Sequence, residues 1–431
     1  MQQLPSTEWL QEFQRKLHKK AKAEPKYRFY SLYDKMYRME VLVEAYRKAK
    51  SNSGTSGVDE ETFEDIETKG VGDYLAGLQL EMKERRYTPK PVRRVYIPKS
   101  NGTLRPLGIP TIRDRIVQTA FLFILEPIFE ADFADSSYGF RPEKSAHGAV
   151  KEVAKYLNWG CTEIYDVDLK QYFDTVVNFV PKLMKLIARR VVDSQVLHVI
   201  KQWLSCGYIE DGQHRQTNRG TPQGGVISPL LANIYLNPVD QAFQRGGIGN
   251  FNKGSIHLVR FADDMVILAQ RNLEDGVALL QHYLERLGLT LNHEKTRTLR
   301  LDIGVSVDFL GFRFQNVRSR KTGTRLILVR PSPRSQERFR AKVRTLIHHR
   351  IPLPVKEQVE QLNRYLRGWV GYYRLGHASV TFSKLAQFVN RRVRRVIWRR
   401  KGKRGYGWGK LTSEHIYGQL GLFNAYRVAR L

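Results

Sequence analysis

Between His257 and Ala269 the chain runs apolar, acidic, apolar. Leu258, Val259 and Phe261 lead in, Asp263 and Asp264 stand side by side, and Met265 to Leu268 lead out. The pattern predicts two short β-strands joined by a tight turn, which requires an antiparallel sheet with two carboxylates at one rim. Adjacent anions repel and lose solvation when half-buried, so the arrangement calls for a compensating cation, with a divalent metal as first candidate. Asp is also an ordinary turn residue, and a lone Asp-Asp hairpin is more often structural than catalytic. The rest of the chain argues against the structural reading.

A chain of 431 residues, 42% hydrophobic, has the length for two to four packing units and the apolar content for their cores. Its 72 Lys and Arg against 42 acids leave a net charge of +30, which favours a polyanionic partner and makes nucleic acid the first expectation. A membrane surface is the rival, but the sequence shows no long apolar span, signal-like N-terminus or lipidation motif. The expectation is a cytoplasmic protein associated with nucleoid or ribonucleoprotein. Cys161 and Cys206 are too few and too far apart for a disulfide framework or a zinc ribbon. The 11 histidines show no metal-ligand spacing, and no Walker-type loop or dinucleotide fingerprint occurs.

Residues 1–26, polar and lysine-rich, predict a frayed arm or short helix, and helical spacing from Leu32 to Tyr46 ends at a Ser/Gly loop over 51–57 that is flexible by composition. A helix from Tyr74 to Glu84 leads to a hairpin, Val92–Pro98 and Thr103–Ile109 around Asn101-Gly102, carrying Arg93, Arg94, Lys99 and Arg105. A protruding cationic hairpin can clamp a triphosphate or a backbone phosphate. An apolar helix from Arg113 is expected to stop at Pro127, and another to run from Ser145 to Leu157. Ile164–Leu169 reads as a strand with Asp166 and Asp168 on one face. Arg219–Gly225 forms a glycine-rich loop, and Ser228-Pro229 starts a helix through Leu236. Helical spacing from Leu273 to Leu287 ends at Gly288, and strands are expected at Lys295–Leu301 and Val307–Phe314.

From Pro331 onward the pattern is helical only. Leu362, Leu366, Trp369, Val370 and Tyr373 trace an apolar core stripe, with Gly368 and Gly371 expected to permit close packing on a neighbour. Nine basic residues and no carboxylate fill 391–404. Arg391, Arg392, Arg394, Arg395, Arg399 and Arg400 are therefore candidate contacts to a nucleic-acid backbone. The aromatic, glycine-rich tail from Gly405 carries no independent signal.

Acids on separate strands, a Gly-rich loop with Gln223 and a basic hairpin form the set that phosphoryl transfer requires. Such carboxylates can hold two Mg²⁺ ions roughly 4 Å apart, one activating the attacking hydroxyl and one steadying the leaving pyrophosphate. All-oxygen ligands suit Mg²⁺.

With these motifs in order, the chain resembles bacterial group II intron reverse transcriptase/maturases from about Leu32 to about Arg400. The resemblance rests on Gly54–Asp59, Arg93–Pro110, Tyr138–Pro142, Asp166–Asp174, Gly220–Gly225, Phe261–Asp264, Gly288–Lys295 and Phe309–Phe312. It implies an α+β right-hand polymerase in which fingers and palm, an antiparallel sheet packed on helices, precede an all-helical basic thumb/maturase domain. The implied divisions are 1–90 for the N-terminal extension and start of the fingers, 91–160 for fingers, 161–330 for palm, 331–400 for thumb/maturase and 401–431 for a tail without an endonuclease.

By the same resemblance Asp168, Asp263 and Asp264 are the catalytic metal-binding carboxylates. Asp168 is preferred to Asp166 because Phe173 then falls where the family has an aromatic gate against the sugar 2′-hydroxyl. Arg93, Lys99 and Arg105 would meet the triphosphate, Gln223 the nucleotide and template pair, and Lys295 the departing pyrophosphate. Phe261 departs from the family's usual Tyr and keeps the ring. The implied partners are group II intron RNA, an RNA template with DNA primer, target DNA and dNTPs, in splicing and retrohoming. A host-adopted polymerase in DNA repair, phage defence or CRISPR spacer acquisition, and a catalytically idle RNA-binding splicing cofactor, are the competing expectations.

Overall fold

Leu10, Leu17 and Ala21 are buried on one side of α1 (Glu8–Ala23), so of the two expectations for this segment, a frayed arm or a short helix, the helix is the one found, docked by its apolar side. The computed structural model describes residues 8–98, 102, 104–169, 179–216, 224–244, 255–319 and 321–431. Four further helices follow, α2 (Tyr33–Met36), α3 (Met39–Ser51), α4 (Phe63–Lys69) and α5 (Val71–Lys83). The loop between α3 and α4 is tied down, contrary to its composition. Arg115 donates to the Thr55 carbonyl, Arg93 donates to Ser56 O at 2.7 Å, and a Cβ on Gly57 would strike the Thr111 backbone.

β1 (Val92–Pro98) and β2 (Leu104–Ile109) pair antiparallel, as the Asn-Gly signal predicts. α6 (Ile112–Glu130), capped by the Thr111 hydroxyl accepting from the Asp114 amide, is the buried spine of the first core cluster. It continues through Pro127, where a stop was expected. Proline lacks the amide that would bond the Phe123 carbonyl, and Gln14 of α1 donates to that carbonyl at 2.9 Å instead, so tertiary packing repairs the gap.

α7 (Ala146–Asn158), β3 (Glu163–Val167), α8 (Phe179–Ile187) and α9 (Ser194–Ser205) come next. The β4 (Tyr208–Glu210) and β5 (Gln213–Arg215) hairpin joins β1 in parallel, giving the sheet β2-β1-β4-β5. α10 (Ser228–Gln244) runs beyond Leu236, through Pro238. β6 (Ile256–Phe261), β7 (Asp264–Ala269), α11 (Leu273–Leu287) and β8 (Arg297–Arg300) complete the antiparallel sheet β6-β7-β3-β8. Gly288, at φ 77°, ends α11 as predicted.

The two faces of this sheet join different cores. Tyr165, Val167, Met265 and Ile267 pack with α6, α8, α10 and α11, whereas Ile164, Val266 and Leu268 pack with α7 and the next sheet. That sheet is β9 (Ser306–Phe309), β10 (Phe312–Arg318) and β11 (Arg325–Pro331) in order β11-β10-β9. The single run expected over Val307–Phe314 is split by a turn at Leu310 and Gly311, with φ of 50° and 79°. A Cβ on Gly311 would lie 2.5 Å from the Tyr373 hydroxyl, so glycine is required there.

α12 (Pro333–Leu346), α13 (Val355–Tyr373) and α14 (Ser379–Arg400) surround the third cluster. Leu362, Leu366, Val370 and Tyr373 are buried as the stripe predicts, but Gly368 and Gly371 face open space and not a neighbour. Beyond a π-helical turn (Glu414–Gln419) the tail returns to the end of α13, where the Ala429 amide donates to Arg374 O and Gly376 donates to Ala429 O. Among the described residues, no helix is long and apolar enough to cross a membrane.

Candidate active site

β6 and β7 pair from Ile256–Ala269 to Phe261–Asp264, leaving Ala262 and Asp263 as a two-residue turn with Ala262 at φ 58°. In the β3–β7 ladder Val167 faces Met265, which carries Asp168, one residue past the strand, toward Asp264. Strand alternation puts Asp166 and Asp168 on the face of Ile164, and Asp264 on that of Val266. The acids therefore share one side of the sheet, the side covered by α7 and β9–β11.

The turn is held from beneath by Arg260, which is fully buried. Its guanidinium makes a bidentate pair with the equally buried Asp240 of α10, with Nε to Oδ1 at 2.8 Å. The remaining N–H groups donate to Asn233 Oδ1 and Ala262 O, both at 2.9 Å, and to Ser137 Oγ at 2.7 Å. Ser136–Tyr138 lies beside β6, with the Arg260 amide donating to Ser136 O and the Tyr138 amide to Arg260 O, each at 2.8 Å. A Cβ on Gly139 would overlap the Ala262 amide nitrogen, so this segment fits against the turn only with glycine at that position. Arg141 ties the same segment to Glu130, Ala134 O and Ser137 O.

Electrostatics at the rim are unbalanced. Partial removal from water, followed by the charges of Asp263, Asp168 and Asp166, raises the Asp264 carboxyl to about 6, against a small opposing effect of Lys295. Asp264 nonetheless keeps an open surface. Burial also raises Asp166 to about 6, with Arg297 opposing and Asp168 and Asp308 adding to the shift. Arg297 stands opposite Asp166 in the β3–β8 ladder, and Asp308 is paired bidentately with Arg313 at 2.7 and 3.0 Å. Lys295 Nζ lies 3.1 Å from Asp168 Oδ2, so the expected pyrophosphate lysine rests on a carboxylate. Among the described residues, no three acid, His or Cys side chains close into a cage around a common point. The donor set, all carboxylate oxygen with one neighbouring ammonium, fits a hard divalent cation in charge and chemistry.

The other predicted residues are dispersed. Lys99, Phe173 and Gln223 lie outside the described residues. Arg93 is half-buried and tied to Ser56 O, and Arg105 is exposed on β2 opposite Ile97. After Gln223, Gly224 sits at φ 122° against Gly108 of β2, and the Val226 amide donates to Gln118 Oε1 at 2.7 Å.

On α14, Arg391, Arg395 and Arg399 form one exposed stripe at four-residue spacing. Arg394 does not belong with them. It is 3% exposed, donates to Asn390 Oδ1 at 2.6 Å and to Leu411 O, and stacks on Trp408. Helical spacing explains this correction: position 394 falls on the side of Val393 and Ile397 that faces the core. Arg392 and Arg400 are engaged by the Ile347 and Ile351 carbonyls.

Residues 97–314 match the family model for reverse transcriptase (RNA-dependent DNA polymerase), and residues 336–412 match the group II intron, maturase-specific domain. The chain belongs to the group II intron reverse transcriptase/maturase family. Protein YkfC of Escherichia coli (strain K12) is 36% identical over 374 residues, covering 78% of this chain and 96% of that protein. The group II intron-encoded protein LtrA of Lactococcus lactis subsp. cremoris is 38% identical over 216 residues, 49% of this chain and 35% of LtrA. Nuclear intron maturase 2, mitochondrial, of Arabidopsis thaliana is 33% identical over 170 residues, 30% of this chain and 23% of its own length. The paired matches favour the polymerase with maturase function over the host-adopted and catalytically idle readings.

Arg260, Asp240 and Asn233 escaped the sequence reading. The available signal was a charge at a core-facing place in an apolar strand and an acid inside an apolar helix, which only a partner makes tolerable. Arg260→Met should lower the unfolding free energy in a urea titration by about 3–5 kcal/mol by leaving Asp240 buried and unpaired. The Asp240→Leu/Arg260→Met double variant should lose less than the single one. A double variant that loses more would contradict a penalty from the orphaned charge.

Chelated protein provides a second test. Because the folded Asp264 carboxyl binds its proton more tightly than the reference value of 3.8, its favourable contribution is present at low pH and lost as pH rises through about 6. Asp264→Asn should raise the melting temperature in EDTA at about pH 7.5, with the gain shrinking toward about pH 4. No gain at the higher pH would refute the crowding of acids described above.

Proposed function

We propose that the chain is an RNA-directed DNA polymerase in which Asp168, Asp263 and Asp264 hold two Mg²⁺ ions, and that it binds group II intron RNA to assist splicing and retrohoming. The observation that carries this reading is the Asp264 carboxyl, raised to about 6 amid three other acids at a hairpin turn inside the segment matching reverse transcriptases. Bound magnesium would lower the acidity barrier at a primer 3′-hydroxyl and neutralise charge on a departing pyrophosphate.

The chain's own residues prepare that site. Arg260 fixes the Ala262 carbonyl and with it the direction of Asp263. Lys295 neutralises Asp168 until a cation displaces it, and is then free to meet phosphate oxygens. Arg93, Lys99 and Arg105 on the basic hairpin would steady the triphosphate, with Gln223 against the nucleotide and template pair. Phe173 would close on the sugar. In this reading residues up to about 160 form the N-terminal extension and fingers, 161–330 the palm, and 331–400 the thumb/maturase unit, whose exposed Arg391, Arg395 and Arg399 lie along a nucleic-acid backbone. Intron RNA, primed template, target DNA and dNTPs are the partners this assigns.

Extension of an oligo(dT) primer on poly(rA) with Mg²⁺ tests the polymerase. Wild type should synthesise cDNA and Asp263→Ala should lose about 10³-fold or more of that rate; equal rates would end the assignment. In the same assay Phe173→Ala should raise ribonucleotide incorporation, and unchanged sugar discrimination would reject the gate.

A further inference from the structure

Behind the sheet, on the side away from the carboxylates, α8, α10 and α11 border an open concavity of about 770 Å³. Lys182 and Lys185 enter it from α8, Arg189 from the turn that follows α8 and Arg286 from α11, and among the described residues no carboxylate lines it. A spacing of three residues puts the two α8 lysines on one face of the helix. None of the four cations makes an ion pair among the described residues. Leu186, Leu279 and Leu287 contribute an apolar floor, and Tyr283 stands beside it with the Arg286 guanidinium 5.8 Å from its ring centroid.

An apolar floor inside a rim of like charges is unfavourable to leave empty and suits a ligand that is flat and apolar at its centre and anionic at its edge. The volume falls in the range of sites that enclose a nucleotide-sized group. We propose that this concavity is an RNA-docking pocket, in which one unpaired base lies on the leucine floor beside Tyr283 and the flanking phosphates rest on Lys182, Lys185, Arg189 and Arg286. The choice of RNA rests on the maturase reading above; the pocket rests on its own geometry. Its position behind the sheet separates it from template and primer, so RNA held here leaves the polymerising face open. The chain can then grip a structured RNA and copy from a primed strand at once.

The test measures two properties of the full-length chain: affinity for a folded transcript of the DNA flanking its reading frame, and primer extension on oligo(dT)-primed poly(rA). Two variants are compared with wild type, Lys182→Glu/Lys185→Glu, which reverses the rim, and Ala242→Trp, which fills the concavity without changing charge. Both should bind the transcript about tenfold or more weakly at fixed salt, with melting temperature unchanged and extension within about twofold of wild type. Unchanged transcript affinity in both variants overturns the proposal. Loss in the charge variant alone also overturns it, because a diffuse basic surface does not need the floor. Displacement of the transcript by millimolar ATP in wild type, absent in Ala242→Trp, would mark the pocket as one for a free nucleotide and overturn RNA as its occupant. A wild-type chain that binds the transcript in this pocket-dependent way yet extends no primer would sustain the pocket and refute the polymerase reading alone.

Discussion

The buried pair of Arg260 and Asp240 fixes where the acidic turn lies. Bringing two ions out of water costs several kcal/mol each, and a well-packed apolar pair of the same volume would serve stability as well or better. An apolar pair could not do what this one does, which is to bind Asn233, Ser137 and the Ala262 carbonyl at the same time. Strand β6, helix α10 and the Ser136–Gly139 segment thus converge on one guanidinium. The turn carrying Asp263 is constrained from below, where no solvent competes for those hydrogen bonds.

That constraint explains how the rim can concentrate negative charge. Four carboxylates near one edge would ordinarily relax apart or take up protons, and Asp264 and Asp166 do respond by rising to about 6. A backbone held by Arg260, by the Gly139 contact and by two ladders on β3 has little freedom to separate them. Repulsion stored in this way favours a divalent ion, and Lys295 on Asp168 is a weaker, monovalent substitute. The opposite face of the same sheet needs no such tension. It packs Val167, Met265 and Ile267 into the largest core.

What could be read from the sequence follows the range of the interactions concerned. The acidic hairpin, the Asn-Gly hairpin and the Gly288 helix end are local, set by periodicity and by one or two turn residues, and their bounds agree closely with the structure. Pro127 misled because the group repairing its missing hydrogen bond, Gln14, is distant along the chain. The Ser/Gly loop misled for the same reason, since Arg93 and Arg115 hold it from other elements. In Val307–Phe314 the alternation of Val307 and Phe309 resumes out of phase at Phe312 and Phe314, a slip that with Gly311 marks the turn and is easily passed over, and β11 escaped notice altogether. Arg394 looked like its neighbours because charge counting ignores helical phase. Arg260 could have been noticed as a charge where the pleat demands an apolar residue, but its partner Asp240 lies twenty positions back in a helix and shares no pattern with it.

Counting bound Mn²⁺ by electron paramagnetic resonance, with primed template and a non-hydrolysable dNTP present, tests most directly whether the acids form one metal centre. Wild type should bind Mn²⁺ competitively with Mg²⁺, and Asp168→Asn and Asp263→Asn should each abolish bound metal that the other variant also loses. Identical Mn²⁺ binding in wild type and both variants would contradict a single metal centre.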